Sequence, residues 1–557
     1  MSAVAPPPDL ATETAAIAAA LAAPGAALGA RIATARAGWP GDLRLRLLEG
    51  EWLEKRGRIE AAEAAYRAAA AAHPANPWPA ARIVGLLLAR GQAEAALALF
   101  AGSIWTSDLP EAARGALLSR LLAAMPDLAA RAAFLTGLLR GTAEDRFALL
   151  KLAALRFRAR DRAGAARLFE EARRYGPLPV ESELLEMELH LAGGRFEAAF
   201  ALAESMRARH PDRIDFMRRA IQAASFAHRL DATRTLLVEA LARWPEDWML
   251  LFRYNRAALP STDDAALFAV LAGRLAARQG DERWLFQHVV AALRQKRTEE
   301  ARALLPRLAA GSAVTAMAAP LHAALAARPA WEAGRGVSND AEADVQVVRH
   351  PAARATLLVL GGVQGGLGYL PFSHADALLA EHPAHVVYLR DVHMRAFSAG
   401  VRGLAADEAG TVAALRGVLA DLGGLPAIAL GASLGGLAAV RLACQLGAAG
   451  AVSFAGPVHL GEAAEGGEGV RLSLTTIFLR DSPGVVEMLR AAPGTRLYQC
   501  FGPDYAPDAA DAALLAGLDN AVPVEVPHCR DHFVVEHMIP DGSFGRVMAR
   551  AIAEAGR

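Results

Sequence analysis

The chain has 557 residues, 54% of them hydrophobic, too many for one ordinary core, so two or more domains are expected. Its 59 basic and 59 acidic residues cancel, which removes the bulk field that would hold nucleic acid or an anionic membrane. The three cysteines, Cys444, Cys500 and Cys529, are widely spaced and make neither a disulfide framework nor a paired-cysteine metal site.

The opening stretch, MSAVAPPPDLATETAA, has no basic segment followed by a sustained apolar run, and no run reaches the ~18 apolar residues of a membrane span. A cytoplasmic protein without cofactor or metal is the expectation. Arginine supplies all the basic residues except Lys55, Lys151 and Lys296, which with the heavy use of alanine is the composition of a GC-rich bacterial genome.

From about residue 10 to 330, alanine and leucine recur at three- and four-residue spacing and strand-like runs are nearly absent, so residues 1–335 read as a helical domain. The helices repeat. GRIEAAEAAY (57–66) aligns with GQAEAALALF (91–100), placing Gly57 on Gly91 and Tyr66 on Phe100, each pair 34 residues apart. GRFEAAFALAESMRARHP (194–211) separates Gly194 from Pro211 by 17 residues, as Gly57 is separated from Pro74, and Pro245 follows Pro211 by another 34. A turn glycine, small residues where helices pack, an aromatic knob and a terminating proline resemble the tetratricopeptide repeat. Arg160 and His228 stand where that pattern has its glycine. The resemblance implies a solenoid that binds a protein or polymer partner.

The periodicity fails near 328–345, where Gly, Ser, Asn and Asp gather. Beyond it short apolar runs alternate with helical segments: ATLLVLGG (355–362), AHVVYLRD (384–391), AIALGAS (427–433), AGAVSFAG (449–456), RLYQCFG (496–502) and VPVEVPH (522–528). The alternation predicts a mostly parallel sheet covered by helices over residues 345–557.

Within that half, Gly431-Ala432-Ser433-Leu434-Gly435-Gly436 joins a predicted strand to a predicted helix. Crowding glycine around a serine at such a bend permits a strained, exposed backbone conformation. The glycine spacing fits neither a dinucleotide fingerprint nor a phosphate loop, and no Gly-Lys-Ser/Thr follows. The segment resembles the nucleophile elbow of the α/β-hydrolase superfamily, a likeness that extends over roughly residues 345–555.

That resemblance implies the chain order serine, acid, histidine, with Ser433 as nucleophile. The loop after RLYQCFG offers Asp504 and Asp508. Asp504 is favoured because it lies in the open loop, whereas Asp508 begins a predicted helix and has an alternative role in its first turn. Asp481 ranks behind both. After the last strand come His528 and His532, with His532 preferred just ahead of an apolar helix, while His537 falls inside that helix. The oxyanion donors expected are the backbone N–H of Leu434 and that of Val363 or Gln364, in the glycine-rich loop after ATLLVLGG.

These residues imply a serine hydrolase of an ester or thioester acting through an acyl-serine, with the repeats recruiting a partner. The alternatives are an acyltransferase using the same residues, or a repeat scaffold whose hydrolase domain is degenerate. Residues 457–493 are too few for a large lid, so an open site is expected. Arg390, His393, Arg395 and Arg402 border the cleft, where they either face solvent or bind an anionic substrate.

Overall fold

The computed structural model describes residues 9–25, 27–159, 161–257, 259–278, 280–308, 314–328, 330–331, 335–339, 343–458 and 483–556. The chain forms two compact units, Met1–Leu189 and His190–Arg557. The division falls within the helical region, well before the composition boundary near residue 335.

In the first unit the repeat pattern becomes helix pairs, such as Leu43–Lys55 with Ile59–Ala72 and Asp145–Arg158 with Arg162–Arg173. The aromatic knobs Tyr66 and Phe100 are fully buried, and the Tyr66 hydroxyl donates to Glu54 at 2.6 Å. The tight turns need a left-handed residue. Gly57 and Gly91 each take φ +71° there, a conformation glycine adopts without a Cβ clash.

The second unit continues the same grammar in Phe196–Arg209, Ile214–Phe226 and Leu230–Arg243. Gly194 takes φ +71°, and His228 occupies the equivalent turn at φ +55°. At the far ends, His210 and Trp244 leave their helices at φ −135° and −127°, as His73 does at φ −134° in the first unit. Each precedes a proline of the 34-residue frame, whose ring bars the preceding residue from continuing the helix.

The later helices of this unit pack onto the sheet-bearing part. Phe286 meets Tyr369 edge-on at 5.0 Å, Thr298 bonds His374 at 2.9 Å, and Asn339 donates to the Arg294 carbonyl at 2.9 Å. These contacts explain why residues 190–326 belong with the sheet although their sequence reads as more of the repeat.

Seven strands form one sheet in the order β1-β3-β2-β4-β5-β6-β7. They are β1 (Val345–Val348), β2 (Ala355–Leu360), β3 (Ala384–Leu389), β4 (Ala427–Ala432), β5 (Gly450–Phe454), β6 (Arg496–Phe501) and β7 (Ala521–Glu525). β1 pairs antiparallel with β3 at one edge and every other pairing is parallel. The six apolar runs of the sequence are β2 to β7. Central strands β2, β4 and β5 are buried along their whole length, as a parallel sheet covered on both faces requires.

Candidate active site

β4 ends at Ala432 and the helix Leu434–Leu446 begins two residues on, leaving Ser433 alone at the bend. Its backbone sits at φ +54°, ψ −122°, a region unfavourable for a residue with a side chain. The bend is held by the Ser433 N–H donating to the Phe454 carbonyl of β5 at 2.8 Å and by the Ser433 carbonyl accepting from Gly436 at 2.9 Å. The flanking glycines are steric necessities. A Cβ on Gly431 would lie 2.2 Å from the Gly435 carbonyl oxygen, and one on Gly435 would lie 2.5 Å from that of Leu360.

His532 lies after β7, in the turn that leads into the helix Val534–Met538. Its Nε2 is 2.9 Å from Ser433 Oγ, and its Nδ1 is 2.9 and 3.0 Å from the two carboxylate oxygens of Asp508. With Nδ1–H donating to Asp508, Nε2 is left as the acceptor for the serine hydroxyl. Asp508 is buried in the first turn of the helix Ala506–Ala513, after β6.

This corrects the choice of Asp504. That residue is half exposed and lies 3.8 Å from Arg530 on the surface, away from the histidine. The helix start at Ala506 swings Asp508 inward instead. His528 is exposed, and His537 donates from its ring to Asp531 at 3.0 Å, which pushes it up to about 10. Asp481 lies outside the described residues, as does most of the segment from which an open site is expected.

Two further features steady the loop that carries His532. Asp531 accepts the Phe533 N–H at 2.8 Å in addition to the His537 ring. Glu536, fully buried, accepts the Tyr369 N–H at 2.6 Å and so ties this loop to the end of the glycine-rich segment. Burial pushes the Glu536 carboxyl up to about 7. Sequence reasoning passed over Glu536 because a lone glutamate in a short amphipathic helix reads as a surface residue.

The glycine-rich loop after β2 closes on itself, Gly362 donating to the Gly366 carbonyl and Gly365 to that of Gly362, both at 2.9 Å. It lies against the elbow: the Gly362 nitrogen is 3.1 Å from where a Cβ of Gly435 would be. Val363 and Gln364 are the intervening residues, and Leu434 opens the elbow helix, so all three expected donors belong to segments in contact around Ser433.

The loop after β3 is partly buried and packs against the helices of the same unit. His393 stacks on Phe196 at 4.3 Å with planes 12° apart and meets Phe226 edge-on, and burial pushes its imidazole down to about 4. Arg402 pairs with Asp344 at 2.8 Å and reaches the His228 ring. His393 and Arg402 therefore fasten this loop to the helices that carry Phe196 and Phe226 and to the turn at His228. Cys529, Asp531 and His537 are a trio close enough to share a cation, but the Asp531–His537 bond and the Cys529 contact to the Asp531 carbonyl already account for them. Among the described residues no helix is long and apolar enough to cross a membrane.

No family model matches the chain, and no curated protein does. Solved structures resemble parts of it. A carboxylesterase of the thaumarchaeon Nitrososphaera gargenis is 14% identical over 38% of this chain and 94% of its own, with a TM-score of 0.29. A protein of Thermus thermophilus is 18% identical over 37% and 93%, with a TM-score of 0.28. A tetratricopeptide repeat protein from Parabacteroides merdae is 12% identical over 49% and 96%, with a TM-score of 0.24. The chain itself joins a helical array with a 34-residue spacing to a mostly parallel seven-stranded sheet, with a serine at the turn that follows β4.

Proposed function

We propose that this protein is a serine hydrolase acting on an ester or thioester, with Ser433 as nucleophile, His532 as base and Asp508 as the orienting acid. One observation carries the reading: His532 lies within hydrogen-bond distance of Ser433 through one ring nitrogen and of Asp508 through the other. His532 takes the hydroxyl proton as Ser433 attacks the carbonyl. The resulting oxyanion faces the Leu434 N–H and an N–H of the glycine-rich loop, Val363 or Gln364, each donor contributing on the order of 3 kcal/mol. His532 then returns the proton to the leaving alcohol or thiol, and water releases the acyl group by the reverse sequence. Asp508 keeps the imidazole in the required tautomer and balances its charge as it becomes protonated. The repeat helices of the first unit serve to recruit a protein or polymer partner.

Fluorophosphonate labelling with peptide mapping tests the reading. Labelling at Ser433 that disappears in Ser433→Ala and His532→Ala is the expected result. A folded wild-type protein that takes no label, and turns over no ester or thioester, would reject it.

A further inference from the structure

The base and the oxyanion donors of the candidate site come from loops far apart in the chain. His532 follows β7, whereas Val363 and Gln364 follow β2. Misplacing either group by about 1 Å costs a reaction on the order of 100-fold, so the separation of the two loops has to be held. One bond that holds it lies outside the Ser433–His532–Asp508 set.

That bond belongs to Glu536. The residue sits in the helix Val534–Met538, one turn beyond His532, and is 1% exposed. Its Oε1 accepts the Tyr369 N–H at 2.6 Å, joining residues 167 apart in the sequence. Gly368 passes directly over the carboxylate at φ +65°, where a Cβ would lie 2.4 Å from Oε1 and 2.9 Å from Oε2. Only a residue without a side chain lets the loop come this close. The Tyr369 ring adds a second link, lying 5.2 Å from that of Phe533, the neighbour of His532.

From Tyr369 the restraint passes back to the donors through short backbone bonds. Leu367 and Leu370 exchange hydrogen bonds at 2.9 and 3.2 Å, and the Gly366 carbonyl accepts the Gly362 N–H at 2.9 Å, closing the turn that holds Val363 and Gln364. On its other side the Tyr369 ring meets Phe286 edge-on at 5.0 Å, and its hydroxyl reaches Met317 Sδ at 3.1 Å. Among the described residues, Oε2 of Glu536 has no hydrogen-bond partner. Burying that oxygen costs stability, so an acid is a poor choice here for packing alone.

We infer that Glu536 is a positioning residue for the reaction: by holding the Tyr369 N–H it fixes the glycine-rich loop relative to His532, and so the oxyanion donors relative to the base. It touches neither substrate nor the reacting atoms. The inference rests on the serine-hydrolase reading, and what it requires of Glu536 is reach rather than charge.

Two measurements on the full chain test it. Glu536→Asp keeps the charge and withdraws the acceptor by one methylene, whereas Glu536→Gln keeps the reach and reproduces the protonated carboxyl that burial favours. With p-nitrophenyl butyrate, Glu536→Asp should lower kcat by about 10-fold or more with KM within about threefold, and Glu536→Gln should recover most of that loss. Should Glu536→Asp not fold, Gly368→Ala, which drives a methyl against the same carboxylate, carries the same expectation. An unchanged kcat in Glu536→Asp, an equal loss in both Glu536 variants, or a loss confined to Glu536→Gln overturns the inference.

The second measurement is amide hydrogen exchange over residues 362–369 in the same proteins. Faster exchange in Glu536→Asp but not in Glu536→Gln, in a protein whose Ser433 takes no fluorophosphonate, would keep the link between the loops and discard the hydrolase. Exchange indifferent to Glu536 in a protein that does label would discard the positioning role alone.

Discussion

His532 Nδ1 lies 2.9 Å from Asp508 Oδ1, while Asp504, four residues earlier and ahead of the helix that carries Asp508, lies 3.8 Å from Arg530 at the surface. The two aspartates share a neighbourhood in sequence and differ in what a helix start does to them. Asp508→Asn should therefore lower kcat by about 10^3- to 10^4-fold, since an amide both removes the charge and favours the wrong imidazole tautomer. Asp504→Asn should stay within about twofold, as expected of a solvent-screened surface contact. Steady-state kinetics on any ester the wild type accepts decides it, and equal losses in the two variants would contradict the arrangement.

The elbow should tolerate no added side chain. Gly435→Ala places a methyl against the Leu360 carbonyl oxygen, a backbone atom that cannot move aside without shifting β2. A loss of about 1–3 kcal/mol is expected by chemical denaturation, with activity falling further because the same movement displaces the glycine-rich loop. An undiminished midpoint and rate would show the elbow to be looser than its contacts imply.

Glu536 should make stability depend on pH. Its carboxyl is pushed up to about 7 by burial, so the folded chain holds this proton more tightly than the unfolded chain. The contribution is therefore fully present below the ordinary carboxyl range and is lost as pH rises toward 7. Glu536→Gln keeps an acceptor for the Tyr369 N–H without the charge. Relative to this variant, the wild type should lose on the order of 2 kcal/mol between pH 4.5 and 8. Denaturation curves of both proteins at those two pH values give the difference directly, and a constant gap would refute the assignment.

The stack of His393 on Phe196 should hold the loop after β3 to the helices. Phe196→Ala is expected to cost about 2 kcal/mol, from lost burial and lost ring contact. Amide exchange across residues 390–404 should accelerate in the variant. Because His393 is pushed down to about 4, it stays neutral at pH 6 to 8 and the loss should not vary over that range. Unchanged exchange would mean that the Arg402–Asp344 pair secures the loop without the stack.

Much of the molecule was legible because its patterns are local. Glycine and proline recur at a fixed interval since each fixes a backbone angle within its own turn, and Gly57, Gly91 and Gly194 share one φ for that reason. The six apolar runs became β2 to β7, the central ones being continuous because strands buried on both faces need no alternation. The serine elbow announced itself in the same way: its glycines answer to clashes within a few residues. β1 was missed, for VQVV is four residues long and its place depends on pairing with β3.

What sequence by itself determined, then, was the two kinds of secondary structure, the elbow serine and the histidine beyond the last strand. Only the tertiary structure decided which aspartate meets that histidine and which helices pack with the sheet. The physical reason is range. Backbone angles and burial periodicity are set within a turn or two of each residue, whereas the partner of a carboxylate or a guanidinium is chosen by segments brought together only when the chain closes.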